Sequence, residues 1–304
     1  MINFLQNMID AVSLGSLYAL AALGIALLFG ILRLVNFAHG DFITVGAYAL
    51  IVPSTDAAAR MFLGDFNPIV MIPLVAAIVV IVALMTDALV FRPLRRATHP
   101  TLMIASLGVS YIIQNGLLVI YGARPKAINL WPALSGQVSA GAFRIPVLEI
   151  VTIGTTLVLM IGLGLFLKRT SYGVQMRAAA EDFRMARYLG VRGNLVIGIA
   201  FGISGAFASA VSLLFLAQTG SLSNVLGFPL ALFGLVAVVV GGMGSLVGAV
   251  VGGFVVGLVV TLLQAYLPAD LRSFRDAFAF AFVILILLLR PSGLIRAKAF
   301  EERV

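Results

Sequence analysis

The residues able to do chemistry in this 304-residue chain are few and scattered. It has two histidines, His39 and His99, and no cysteine. Neither histidine stands in an H-E-x-x-H pattern, and each lacks the companions that a metal site needs. There is no G-x-S-x-G nucleophile elbow. There is also no G-x-x-x-x-G-K-[ST] loop, so no Walker-type backbone cradle and lysine await ATP phosphates. The sequence therefore predicts no catalytic residue, no metal and no cofactor held by this chain. His39 lies within NFAHGD at 36–41. Broken helices in membranes must satisfy their freed backbone groups, so a structural hydrogen bond is the expected task of that histidine. Asn36, His39, Gly40 and Asp41 are thus candidates for a helix break or a solute pathway. His99 precedes Pro100 and marks the start of an apolar run. Asp87 and Glu149 lie near the ends of apolar runs, and no Lys or Arg sits in the middle of one. Proton-coupled carriers and voltage sensors keep ionisable groups deep in the bilayer. Their scarcity here points to a pathway lined by apolar and small polar groups.

The elements that must position these residues follow from composition. Of the chain, 62% is apolar and 11% charged, with a mean hydropathy of +1.13. Soluble domains run at about 45–50% apolar and about 25% charged. A water-soluble protein, a disordered chain and a disulfide-built secreted domain are all excluded. Apolar runs cover 11–32, 42–52, 68–90, 101–121, 145–167, 194–217, 228–241, 245–266 and 276–290. Most can cross a bilayer, which takes about 20 residues. The fold class is all-α: a polytopic helical membrane bundle of about 8–9 hydrophobic segments, forming one transmembrane domain over 1–304. Runs 42–52 and 228–241 are too short to cross. Short or broken segments at membrane depth survive only inside protein or beside a water-lined cavity, and in transporters they point to the pathway.

The net charge is +8. No basic stripe marks a folded face, so the excess is read as orienting the spans, and nucleic acid is not an expected partner. Of the 20 Lys and Arg, fourteen flank one set of run ends and six the other. The positive-inside rule then predicts an external N-terminus and a cytoplasmic C-terminus. The first run is too long, and its N-terminal flank too poor in basic residues, for a secretory signal. It is read as a retained first span.

Small residues recur every four positions in two runs. Gly198, Gly202, Ala206 and Ala210 make one row. Gly244, Gly248 and Gly252 make another, with Gly253 and Gly257 beside it. Helices in lipid associate through close backbone approach, so both rows are candidate packing faces.

The longest charged connection is 168–192, between two apolar runs. Its centre, 175–189, is rich in helix formers. Arg177 and Glu181 stand four apart, as do Ala178 and Asp182. Gly190 occupies the place where a left-handed glycine ends a helix. The segment reads as a short amphipathic helix outside the bilayer. Such a helix can be solvated, rest on anionic lipid, or dock into a groove on a soluble partner.

Four stretches together resemble the LivH-like family of branched-chain amino acid ABC transporter permeases. They are RLVNFAHGD at 33–41, RAAAEDFRMARYLGV at 177–191, GGMGSLVGA at 241–249 and RPSGLI at 290–295. They span nearly the whole chain and occur in the family's order. The resemblance implies a permease of the bacterial inner membrane. It also implies a second related permease, two ATP-binding subunits that use ATP and Mg, and an external solute-binding protein. Residues 168–192 would then be the coupling loop to the ATPase. That loop includes Arg177; within it Glu181 and Asp182 would offer polar or ionic contacts, Ala178, Ala179 and Ala186 would permit close approach, and Gly190 would end the helix. The implied substrates are branched-chain or other small hydrophobic amino acids. Urea and short amides are the alternatives within related permeases. A stand-alone facilitator for a small neutral solute is the alternative outside them, though a facilitator needs no long charged helix of this kind.

Overall fold

The computed structural model describes residues 2–56, 59–95, 97–134, 136–140 and 143–295. Arg96, Arg296, Lys298 and Arg303, which enter the charge count above, lie outside the described residues. The chain is a succession of helices: α1 (Ile2–Leu32), α2 (His39–Tyr48), α3 (Pro68–Thr86), α4 (His99–Tyr121), α5 (Val147–Arg169), α6 (Ser171–Glu181), α7 (Phe183–Tyr188), α8 (Gly193–Thr219), α9 (Gly227–Gly241), α10 (Leu246–Tyr266) and α11 (Arg275–Leu289). Among the described residues, six helical stretches are long and apolar enough to cross a membrane. They comprise α1, α3 with its continuation to Phe91, α4, α5, α8 and α10. The expected all-α membrane bundle is thus found; α2 and α9, on the two runs expected to be too short, have 10 and 15 residues, and α11, on the run 276–290, also has 15 and is not among the six.

Local chemistry sets several of these boundaries. Asn67 caps α3 by accepting from the Ile69 amide, and Pro68 needs no hydrogen-bond partner at the first helical position. The end of α3 widens into a single π turn at Asp87–Phe91. Pro100 likewise sits in the first turn of α4. Among the described residues, what little strand there is lies in connections: β1 (Lys126–Ala127) pairs with β4 (Ser221–Leu222), and β2 (Gln137–Ala140) pairs antiparallel with β3 (Phe143–Pro146).

The chain divides into two compact units. Unit 1 takes Met1–Ala26, Trp131–Ile161 and Phe233–Val304. Its aromatic core stacks Tyr18 on Phe233 at 5.1 Å and Phe233 on Phe280 at 5.6 Å between ring centres. Glycines let its helices approach to backbone distance. A β-carbon on Gly253 would lie 2.9 Å from that of Ala19, and one on Gly257 would run into Gly15 of α1. Gly248 and Gly252 serve a different neighbour, α9: a β-carbon on Gly252 would overlap the Ala237 carbonyl oxygen. Gly244 departs from the expected helical row. It lies in the turn before α10 with φ +92°, and Ser245 caps the helix by accepting from the Gly248 amide at 3.0 Å.

Unit 2 takes Leu27–Leu130 and Gly162–Leu232. Its centre is α8 packed on α3 and α2. The close contact on α8 is Gly205, where a β-carbon would lie 3.1 Å from both the Ala83 methyl and the Val80 Cα. The expected row on α8 does not make that contact. Nothing lies within 4 Å of a β-carbon placed on Gly198, and only Val80, at 3.9 Å, approaches one on Gly202. The two residues lie on a half-buried face of α8 while Gly205 faces α3.

Candidate functional site

Unit 2 brings together the short helix α2 and the start of the short helix α9. Gly40 and Gly227, one in the first turn of each, approach so closely that a β-carbon on Gly227 would overlap the Gly40 carbonyl oxygen. Only glycine at both positions permits this. Thr44 ties the junction, donating to the Gly40 carbonyl at 3.2 Å and accepting from the Gly227 amide at 3.0 Å. The two runs too short to cross a bilayer therefore meet, start against start.

The polar residues of 36–41 are almost completely shielded: Asn36, His39 and Asp41 are 2%, 0% and 1% exposed. His39 is the first residue of α2, just past the break. Its Nδ1 shares a 3.0 Å hydrogen bond with Ser204 of α8. Asn36 accepts from the Ala38 amide at 3.1 Å, so its side chain organises the break between α1 and α2. Asp41 accepts from Gln114 of α4 at 2.9 Å, and the same Gln114 nitrogen reaches Ser110 at 3.1 Å. One turn before Ser110, Ser106 accepts from the Phe37 amide at 3.3 Å. Ser106, Ser110 and Gln114 are spaced by four and share one face of α4. That seam went unnoticed in the sequence, although its i, i+4, i+8 spacing within an apolar run was the available signal.

Asp87, expected at a span end, is buried and pairs with Arg95 at 2.8 Å. Arg95 also bonds Asn194 at the start of α8. Glu149 falls in the first turn of α5, where a carboxylate suits the positive end of the helix dipole.

The 168–192 connection is two helices rather than the single helix expected. α5 gives way to α6 across Thr170, whose hydroxyl accepts from the Gly173 amide at 3.0 Å. Gly173 is required there, because a β-carbon would overlap the Phe166 carbonyl oxygen. The break at Asp182 separates α6 from α7. Asp182 takes extended backbone angles and accepts from the Arg184 and Met185 amides at 2.8 and 3.0 Å, which makes it the cap of α7. Gly190 ends α7 with φ +90°. Its amide reaches the Arg187 carbonyl at 3.1 Å, and the Val191 amide reaches Ala186 at 3.0 Å, the paired bonds of a Schellman turn.

Placement on these helices revises the expected roles. Arg177 and Glu181 are exposed, and Ala178 is half-buried. Ala179 and Ala186 are 2% and 3% exposed, turned to the chain's own interior, and so are closed to a partner. The outward face carries Tyr172, Val174, Met185, Tyr188 and Leu189 instead, the last two each 85% exposed. Arg33, in a left-handed conformation at φ +56°, reaches from the end of α1 to the Ala180 carbonyl near the end of α6 at 3.4 Å.

The four family-like stretches therefore pair in space. In unit 2, 33–41 touches 177–191 through Arg33. In unit 1, 290–295 folds back on 241–249: the Leu294 and Ile295 amides donate to the Val240 and Gly241 carbonyls at 2.8 and 2.9 Å. Gly242 and Gly293, with φ +111° and +78°, lie face to face in that contact.

Comparison with known proteins agrees with this picture. Residues 7–289 match the family model described as branched-chain amino acid transport system / permease component. The chain is 32% identical over 308 residues to the high-affinity branched-chain amino acid transport system permease protein BraD of Pseudomonas aeruginosa, covering 99% of this chain and 98% of BraD. It is 32% identical over 309 residues to the permease protein LivH of the corresponding Escherichia coli system, covering 98% and 97%. A shorter similarity, 32% over 145 residues, links 47% of the chain to the autoinducer 2 import system permease protein LsrC of Salmonella paratyphi B. No solved structure matches. With a family match over nearly its whole length, the chain belongs to the branched-chain amino acid transport system permease family.

Proposed function

We propose that this chain is one permease subunit of an ATP-driven ABC importer for branched-chain or similar small hydrophobic amino acids. The observation that carries the coupling is the α6–α7 pair, which lies between two spans and turns tyrosine, methionine and leucine outward. Large apolar side chains left exposed together on a short helix pair between spans suit an interaction surface. A partner ATPase groove is the occupant that accounts for both the apolar face and the exposed Arg177 and Glu181. ATP and Mg belong to that partner, since the chain carries no phosphate loop.

The other parts of the assembly follow the same reading. A second related permease completes the membrane pathway, two ATP-binding subunits supply the energy, and an external binding protein delivers the solute. The whole chain acts as one permease module, a reading supported by the family match crossing both compact units. The excess of Lys and Arg at one set of span ends supports an external N-terminus and a cytoplasmic C-terminus in the bacterial inner membrane. The test is co-purification. The tagged chain, expressed with its neighbouring-gene partners, should bring down a second permease and two copies of ATP-binding subunits per complex. Recovery of the chain alone, with facilitated solute flux and no nucleotide dependence, would contradict the proposal.

A further inference from the structure

Among its described residues, unit 2 shields three charged side chains and treats them differently. Asp87 has Arg95 as its counter-ion at 2.8 Å. Lys126 donates to the Ser54 carbonyl at 2.7 Å and hydroxyl at 3.3 Å, with the Tyr121 ring centre 5.9 Å away. Asp41 has neither arrangement. Among the described residues it forms no ion pair, and its Oδ2 is buried without a hydrogen-bond partner. A lone buried carboxylate is costly while charged, and is relieved by a proton or by a cation that joins it.

Two ordinary explanations fail on the geometry. The carboxylate does not cap α2: the Ala38 amide is taken by Asn36, the Asp41 and Phe42 amides by the Ala38 carbonyl, and no side chain caps this helix. Nor is it one step of a proton chain through His39. Two residues apart on a helix, the side chains point in different directions. His39 bonds Ser204 of α8, whereas Asp41 bonds Gln114 of α4. Beside the bound Oδ1 of Asp41, acceptor capacity remains. Gln114 spends its amide nitrogen on Asp41 and Ser110, which leaves its carbonyl oxygen as a second acceptor beside the carboxylate. Asp41 stands one residue from the Gly40–Gly227 junction of the two short helices, the kind of broken-helix position where transporters hold their cargo.

We propose that Asp41, held by Gln114 and Ser110, is the point in the pathway that receives the ammonium group of the transported amino acid; this rests on the importer reading above. The carboxylate Oδ2 and the Gln114 carbonyl accept from the ammonium, and the charge neutralises one that the fold otherwise leaves alone. A urea or amide importer has no use for such a group, so the site also favours zwitterionic cargo.

The test uses the complete complex in proteoliposomes with L-[14C]leucine, reading both uptake and ATP hydrolysis. Asp41→Asn should lower leucine taken up per ATP hydrolysed at least tenfold, and Asp41→Glu should restore at least a third of the wild-type ratio. Gln114→Met, at a half-buried position and with the carboxylate intact, should lower the ratio at least threefold. A ratio within twofold of wild type in Asp41→Asn or in Gln114→Met would overturn the proposal. So would a parallel loss of uptake and hydrolysis in Asp41→Asn and Asp41→Glu alike, because that is the signature of a structural role. Wild-type complex that takes up no leucine would overturn the importer reading itself, and this inference with it.

Discussion

At the scale of single residues, glycine decides where helices touch, and spacing alone does not say which glycines those are. Gly198 and Gly248 stand in sequence rows of the same kind. In the fold Gly248 presses on the Gly241 backbone, whereas nothing lies near Gly198. Forcing leucine into a full contact costs about 1–3 kcal/mol or more through displaced backbone. Gly248→Leu and Gly257→Leu should therefore sharply reduce the chain accumulated in membranes, while Gly198→Leu accumulates normally. Immunoblots of membrane fractions decide this, and equal levels for all three variants would refute the assignment of contacts. The polar residues teach the same lesson. Asn36, His39, Gly40 and Asp41 were legible as a break because they interrupt apolar sequence. Their partners Ser204, Gln114 and Ser110 were not, since each is more than 70 residues away or sits inside an unbroken apolar run. The apolar run was read as starting at 42, whereas α2 starts at His39, so Asp41 lies inside the helix and is buried there.

At the scale of elements, span positions were readable because hydropathy and length dictate them. The run at 101–121 became His99–Tyr121, and that at 245–266 became Leu246–Tyr266. The division of 171–190 into two helices was not readable, because helix-forming residues continue on both sides of Asp182. Only the capping bonds reveal the break. This changes what a mutation at Asp182 tests. Asparagine also caps well, and loss of a cap costs about 1 kcal/mol. Asp182→Asn should keep near-normal ATP-driven uptake, and Asp182→Ala should lower it severalfold. Equal loss in both would restore Asp182 to the role of a charged contact. On the outward face, Leu189→Asp should cut recovery of the ATP-binding subunits with the tagged permease at least tenfold. Unchanged recovery would mean that the ATPase docks elsewhere. Gly190→Val should do comparable harm, since a β-branched residue strains the left-handed turn by roughly 1 kcal/mol or more.

At the scale of the whole molecule, topology and energy coupling stand or fall together. α5 separates residue 137 from residue 171 and is long enough to cross the bilayer once. Single cysteines at Gln137 and Ser171 should therefore react with an impermeant maleimide from opposite faces, the first in intact cells and the second only after lysis. The background has no native cysteine, so each signal is unambiguous. The central claim is that this chain moves amino acids with energy received through α6–α7. Its most direct measurement is L-[14C]leucine uptake by proteoliposomes holding both permeases and both ATP-binding subunits, with the binding protein outside and ATP enclosed. Uptake should exceed the external concentration, require both ATP and the binding protein, and vanish in Leu189→Asp. Leucine that merely equilibrates across the membrane, equally with and without ATP, would show a facilitator and contradict the account.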